Sequence, residues 1–161
     1  NIVSETFASV SAPIQFAAVK AYSQDHSNYL LSSRLILKTI GNYIFQELSK
    51  SGVKCQKPQG GFYMLCDFSK VIEENNKILN SKMLCDKLLR ETGFAMLPGS
   101  DFGINEKLLI SRIAFVDFDG KKALLYAKGK RNLSYSLLKR ICPKIVRGIE
   151  KLKKWIREID N

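Results

Sequence analysis

Leu108-Leu109-Ile110-Ser111-Arg112-Ile113-Ala114-Phe115-Val116 has the composition and alternation of a β-strand. Strand geometry puts Leu108, Ile110, Arg112, Ala114 and Val116 on one face and Leu109, Ser111, Ile113 and Phe115 on the other. Both faces are largely apolar, so the strand is expected to be covered on both sides. Arg112 stands in the middle of the first face. A guanidinium cannot neutralise itself by losing a proton, so there it needs an anion or access to water. It is also the side chain best shaped to hold a carboxylate through two parallel hydrogen bonds. Position alone leaves two readings open: a grip for a ligand carboxylate at the edge of a pocket, and an internal ion pair with Asp67, Asp101 or Asp117.

The segments around this strand read as alternating helices and short strands. Ser11-Ala12-Pro13 opens a helix, with proline in the first turn where its missing N–H costs nothing. That helix is expected to bend near residues 23–27, where His26 reads as a surface or capping residue. A longer helix follows, with Leu30, Leu37, Ile40, Ile44 and Leu48 as its buried stripe and Gly52 as its stop. Gly41 inside it costs about 1 kcal/mol relative to alanine, which points to close packing at that position. Phe62–Phe68 reads as a strand after the turn Pro58–Gly61. Residues 73–80 read as a loop or a poor helix. Ser81 is expected to cap a helix carrying Leu84, Leu88 and Leu89 that stops at Gly93. Phe94–Leu97 is expected to form a short strand ending in Pro98-Gly99. Asp119 is expected to cap a helix with Ala123, Leu124 and Ala127. Pro143 splits the C-terminal helical pattern into 134–140 and a helix from 143 that buries Ile145, Ile149, Leu152, Ile156 and Ile159. Three strands with helices on one side make an α+β fold of two layers.

Composition bounds what such a fold can do. The chain has 161 residues, enough for one domain with a real core. No apolar run approaches the length that spans a bilayer. The cysteines at 55, 66, 85 and 142 and the lone His26 support neither a zinc site nor a disulfide framework, and read as a reducing, cytosolic setting. One histidine also leaves no Ser-His-Asp or Cys-His arrangement to argue for. The net charge of +11 is uneven: residues 1–120 hold 13 Lys/Arg against 12 Asp/Glu, and residues 121–161 hold 13 against 3. A basic end of this kind raises nucleic-acid binding as an alternative. Its cations, from Lys139 to Arg157, alternate with apolar residues at helical spacing, which is the pattern of a solvated helix face. The chain opens on Asn1 rather than methionine and is expected to be an excised piece of a longer protein.

Three motifs stand in order: Pro58-Gln59-Gly60-Gly61-Phe62-Tyr63, Leu97-Pro98-Gly99-Ser100-Asp101-Phe102-Gly103, and Ser111-Arg112-Ile113-Ala114-Phe115. Each alone is a weak signal. The ordered set resembles the C-terminal part of class I/II aminotransferases, the pyridoxal-phosphate enzymes of fold type I. Ser9-Val10-Ser11-Ala12-Pro13-Ile14-Gln15-Phe16-Ala17-Ala18 looks like the segment that leaves the family's large domain and starts its interdomain helix. The resemblance covers essentially the whole chain.

The resemblance implies the family's small domain: a three- to four-stranded sheet covered by helices and preceded by a long interdomain helix. Residues 1–11 would be the exit from the large domain, 12–52 the connecting helices and 53–161 the α+β domain. Arg112 matches the arginine that holds the substrate's α-carboxylate, and Gly61 and Phe62 match a turn beside the substrate, with Phe62 a candidate apolar wall. Gly99 and Gly103 would supply unusual backbone angles, while Tyr63 and Asp101 are given no role by the motif. The parent protein would use pyridoxal phosphate to move an amino group between an amino acid and a 2-oxo acid. It would be a homodimer, with the missing N-terminal large domain as a partner and neither nucleic acid nor membrane among its partners. The Schiff-base lysine belongs upstream of Asn1 in this pattern. Ser49-Lys50, Ser69-Lys70 and Ser81-Lys82 lie too far downstream, so this piece alone is expected to bind no cofactor and to be inactive. The alternative from another class is a non-catalytic binding or scaffold domain that kept the fold.

Overall fold

The computed structural model describes residues 10–72 and 78–159. The expectations for residues 1–9 and for 73–77 of the 73–80 segment lie outside the described residues. Two helices come first, α1 (Ala12–Tyr22) and α2 (Ser27–Lys50). Then come β1 (Lys54–Cys55), β2 (Tyr63–Asp67), a single helical turn α3 (Ser69–Ile72) and α4 (Ser81–Thr92). A short strand β3 (Leu97–Pro98) runs into a 3-10 turn (Gly99–Phe102), and β4 (Ile110–Ala114) follows. The chain ends on α5 (Gly120–Ala127), α6 (Tyr135–Ile141) and α7 (Pro143–Ile159).

The strands form one antiparallel sheet in the order β1-β2-β4-β3. β4 is therefore interior, paired with β2 along its length and with β3 at Arg112 and Ser111. Alternation sorts its side chains as expected. Leu109, Ser111, Ile113 and Phe115 are buried, as are Met64 and Cys66 of β2, and they join the helices in one core. The other face is a correction. It is open: Leu65 is 46% exposed, Leu97 45%, Leu108 46% and Val116 48%. Among the described residues the helices cover the sheet on one side only, so the apolar side chains of its second face are exposed.

The helices follow from their stripes. In α2 the buried residues Ile36, Ile40, Ile44 and Leu48 repeat every four positions and lie along one face. The expected stripe is too long at its start. Leu30 is 44% exposed and Leu37 only partly buried, because the first turns of α2 run beyond the core. Every described residue from Val10 to Leu31 is exposed, including Phe16 and Tyr22. His26 lies at the join of α1 and α2, its Nε2 bonded to the Ala21 carbonyl at 2.8 Å. Gly41 has the packing its cost implied. A Cβ there would lie 2.7 Å from Cγ of Pro58 and 3.4 Å from Cζ of Phe115. α7 buries Ile145, Ile149, Leu152, Ile156 and Ile159, together with Val146 and Trp155. Of its lysines, Lys144 pairs with Asp117, Lys151 donates to the Thr92 carbonyl, and Lys153 pairs with Glu47.

Local details differ from the sequence reading at three points. Asn80, not Ser81, caps α4, its side chain accepting from the Met83 N–H at 2.9 Å. Ser81 is buried instead, its hydroxyl turned to that of Ser100. Leu89 faces outward, 49% exposed. The third strand begins at Leu97 rather than Phe94, because only Leu97 and Pro98 find partners on β4. Among the described residues no helix is long and apolar enough to cross a membrane.

Candidate functional site

The open face of the sheet carries one charge at its centre. Register sets Leu65 of β2 and Leu97 of β3 directly beside Arg112, with Tyr63 opposite Ala114 on the same face. The Arg112 Cζ lies 4.1 Å from the ring centroid of Tyr63 and 4.0 Å from that of Phe102, the last residue of the 3-10 turn. Guanidinium groups stack on aromatic faces through cation–π attraction and are weakly hydrated enough to be held there. The two rings thus fix Arg112 without consuming its charge or its hydrogen-bond donors.

No carboxylate among the described residues pairs with it. Asp67 is occupied by the Ser69 N–H and hydroxyl at 3.0 and 2.7 Å, and Asp117 by Lys144 at 3.0 Å. The internal ion pair with Asp67, Asp101 or Asp117 is therefore absent among the described residues. The Nε–H of Arg112 is buried and without a partner among the described residues. A buried donor left unmade costs about 1–3 kcal/mol, more when it is charged. The guanidinium thus keeps an unmet donor and no described carboxylate partner, beneath a sheet face that is otherwise open. A carboxylate reaching it in the guanidinium plane gains two charge-assisted hydrogen bonds.

The turns around Arg112 are built by glycine for two different reasons. Gly61 and Gly103 have φ of +68° and +77°, which side-chain-bearing residues rarely adopt. Gly99 needs no unusual angle. A Cβ on it would meet the Ile110 carbonyl oxygen at 2.7 Å, so its smallness lets the 3-10 turn lie against β4 and deliver Phe102 to Arg112. Phe62 touches Tyr63, with ring centroids 4.3 Å apart, and is 37% exposed. It backs the ring that stacks on Arg112. Gly61 and Phe62 lead into β2 at one end of the sheet, and Arg112 at its centre is linked to them through Tyr63. Tyr63 and Phe102, which carry no role in the sequence reading beyond their motifs, stack on the arginine. Cavities of about 560 and 850 Å3 lie elsewhere, the first between Phe94, Val116 and Arg147, the second between Tyr29 and Leu125. Neither includes Arg112.

The family model for aminotransferase class I and II matches residues 1–118, which include all three motifs. The chain belongs to the class I and II aminotransferase family. It is 35% identical over 102 residues to an aspartate aminotransferase of Thermotoga maritima, covering 63% of this chain and 24% of that protein. It is 30% identical over 93 residues to an inactive alanine aminotransferase of Saccharomyces cerevisiae, covering 52% of this chain and 18% of that protein. The crystal structure of aspartate aminotransferase from Thermotoga maritima superposes with a TM-score of 0.63 at 22% identity, over 97% of this chain and 31% of that one. This aminotransferase chain thus spans from under a fifth to under a third of the length of these relatives. Its mixed fold, helices on a small antiparallel sheet, is theirs, and the structural likeness continues beyond residue 118 where the family model ends.

Proposed function

We propose that this chain is the C-terminal small domain of an aminotransferase that moves an amino group between an amino acid and a 2-oxo acid. Within it, Arg112 holds the substrate's α-carboxylate, and Tyr63 and Phe102 keep the guanidinium oriented for it. The observation that carries the reading is Arg112 itself: stacked at about 4 Å on two rings, unpaired with any described carboxylate, and left with a buried N–H unsatisfied. Gripping the carboxylate fixes the substrate's reacting carbon relative to the rest of the site, which is catalysis by positioning.

The family's cofactor, pyridoxal phosphate, supplies an electron sink for such chemistry. The described residues do not fit it. Around Arg112 stand Tyr63, Leu65, Leu97, Phe102 and Ala114, none of which forms a Schiff base or cradles a phosphate. Of the lysines that follow a serine, Lys50 pairs with Glu47 at the far end of α2, and Lys70 and Lys82 are exposed on helices. The chain's share is the carboxylate grip, and the cofactor's hold belongs to the large domain. The exposed apolar residues of α1 and of the open sheet face suit burial against such a domain, since contiguous apolar surface of this kind marks an interface. In this reading the parent is a homodimer with amino acid and 2-oxo acid as its small-molecule partners.

The test compares the complete protein with the 161-residue chain, both supplied with pyridoxal phosphate. The complete protein should exchange amino groups between amino acids and 2-oxo acids, and the chain alone should not. Turnover by the chain alone, or none by the complete protein with any amino donor, would overturn the reading.

A further inference from the structure

We propose that Cys55 and Cys66 form a reversible disulfide that locks β1 to β2 when the protein meets a small-molecule disulfide such as oxidised glutathione. The two residues are direct partners across the antiparallel pair β1–β2. Antiparallel partners have Cα atoms about 4.5–5.5 Å apart, inside the window of about 4.4–6.8 Å that a disulfide requires. Their Sγ atoms lie 3.1 Å apart, so a closure of about 1 Å reaches the bond length of about 2.05 Å. Both thiols are free.

The pair divides into an attacking and a resolving thiol. Cys66 is fully buried, and Cys55 is only partly so. The hydrogen bond with Cys55, with burial added, holds the Cys66 thiol well above the ordinary range. Cys55 therefore reacts first. Its thiolate attacks one sulfur of the oxidised glutathione, forming a mixed disulfide and releasing one glutathione thiolate. The Cys66 thiol then loses its proton to water and its sulfur attacks Sγ of Cys55, expelling the second glutathione. Two protein thiols are oxidised and one glutathione disulfide is reduced to two thiols. The other cysteines are internal controls. Cys85 is buried with its Sγ 3.3 Å from the Ser111 hydroxyl, and Cys142 is pushed up to about 11 by burial.

The bridge closes residues 55–66, the segment that holds Pro58, Gly61, Phe62 and Tyr63. Cross-linking such a loop removes freedom from the unfolded chain and from the loop itself. The chemistry of the pair does not depend on the role proposed for Arg112.

The experiment equilibrates the folded protein in glutathione buffers of rising oxidised fraction, quenches with acid, and reads mass, thiol count and Tm. Expected is the loss of two hydrogens, chymotryptic peptides from either side of Phe62 and Tyr63 joined through Cys55 and Cys66, and a Tm higher by about 5–10 °C. Dithiothreitol should reverse all three. Cys55→Ser, at the less buried position, should stay folded and show no shift between the buffers. A glutathione adduct on Cys55 that never resolves, a bridge to Cys85 or Cys142, or a Tm shift that survives in Cys55→Ser would overturn the proposal.

Discussion

Gly41→Ala sets two opposed effects against each other at one atom. Alanine in place of glycine inside a helix is worth about 1 kcal/mol in helix propensity. Gly41 stands in the middle of α2, so helix propensity taken by itself would make the substitution stabilising. The structure reverses the sign. The new methyl would lie 2.7 Å from Cγ of Pro58, against about 3.5–4.0 Å for carbon atoms in good contact, so one side must retreat by about 1 Å. Neither side moves cheaply: Pro58 is a ring fused to the backbone, and the methyl's next neighbour is the fully buried ring of Phe115. Overpacking of this kind costs about 1–3 kcal/mol. The net expectation is a loss of up to about 2 kcal/mol, or a Tm lower by up to about 8 °C. Urea unfolding followed by far-UV circular dichroism measures it, with an unchanged slope showing that only stability moved. A variant more stable than the parent by about 1 kcal/mol would refute the reasoning, because it would mean that Pro58 yields and α2 does not touch the β1–β2 loop as described.

Two further outcomes follow from the site and its supports. Phe102→Leu removes one of the two rings on Arg112 and, on the proposed function, should lower kcat/KM of the complete protein about two- to fivefold through KM, the worth of about 0.5–1 kcal/mol of cation–π contact; steady-state kinetics with unchanged KM would count against the stacking role. Glu47 is held below its ordinary value of 4.5 chiefly by its hydrogen bond from Lys153, with Lys50 adding to it. The unfolded chain therefore binds more protons between that depressed value and 4.5, so this contribution is present at neutral pH and is lost as pH falls through the window. Glu47→Gln should be less stable than the parent at pH 7, with a difference that shrinks by pH 3; Tm measured across that range decides it, and a constant difference would contradict it.

Much of this architecture can be read from the residues, and the limits of the reading have physical causes. Arg112 and the alternation of 108–116 stand out because a charge in an apolar strand is costly wherever it points. The stripe of α7 is legible because Ile145, Ile149, Leu152, Ile156 and Ile159 repeat at helical spacing, and all five are buried. The stripe of α2 is legible in its second half only, since the pattern at Leu30 continues where the core has already ended. That the second sheet face is bare cannot be read from this chain, because alternation tells which side chains share a face and not what covers them. The aromatic hold on Arg112 is hidden for a different reason. Tyr63 and Phe102 reach it from 49 and 10 residues away, and only the β2–β4 register and the fold of the 3-10 turn bring them there. Cys55 and Cys66 meet in the same way, across a two-residue strand too short to leave a periodic signal.

The central claim rests on Arg112, and kinetics of Arg112→Lys and Arg112→Ala in the complete protein, beside their melting temperatures, test it most directly. Lysine keeps the charge but loses the planar two-point grip, so KM should rise and kcat/KM should fall. Alanine should cost more, about two orders of magnitude or beyond in kcat/KM, because a charge-assisted pair is lost in a shielded site. Both variants should melt close to the parent, since no described carboxylate is stranded when the guanidinium goes. Unchanged kcat/KM with a collapsed Tm would show that Arg112 holds the sheet together and grips no substrate.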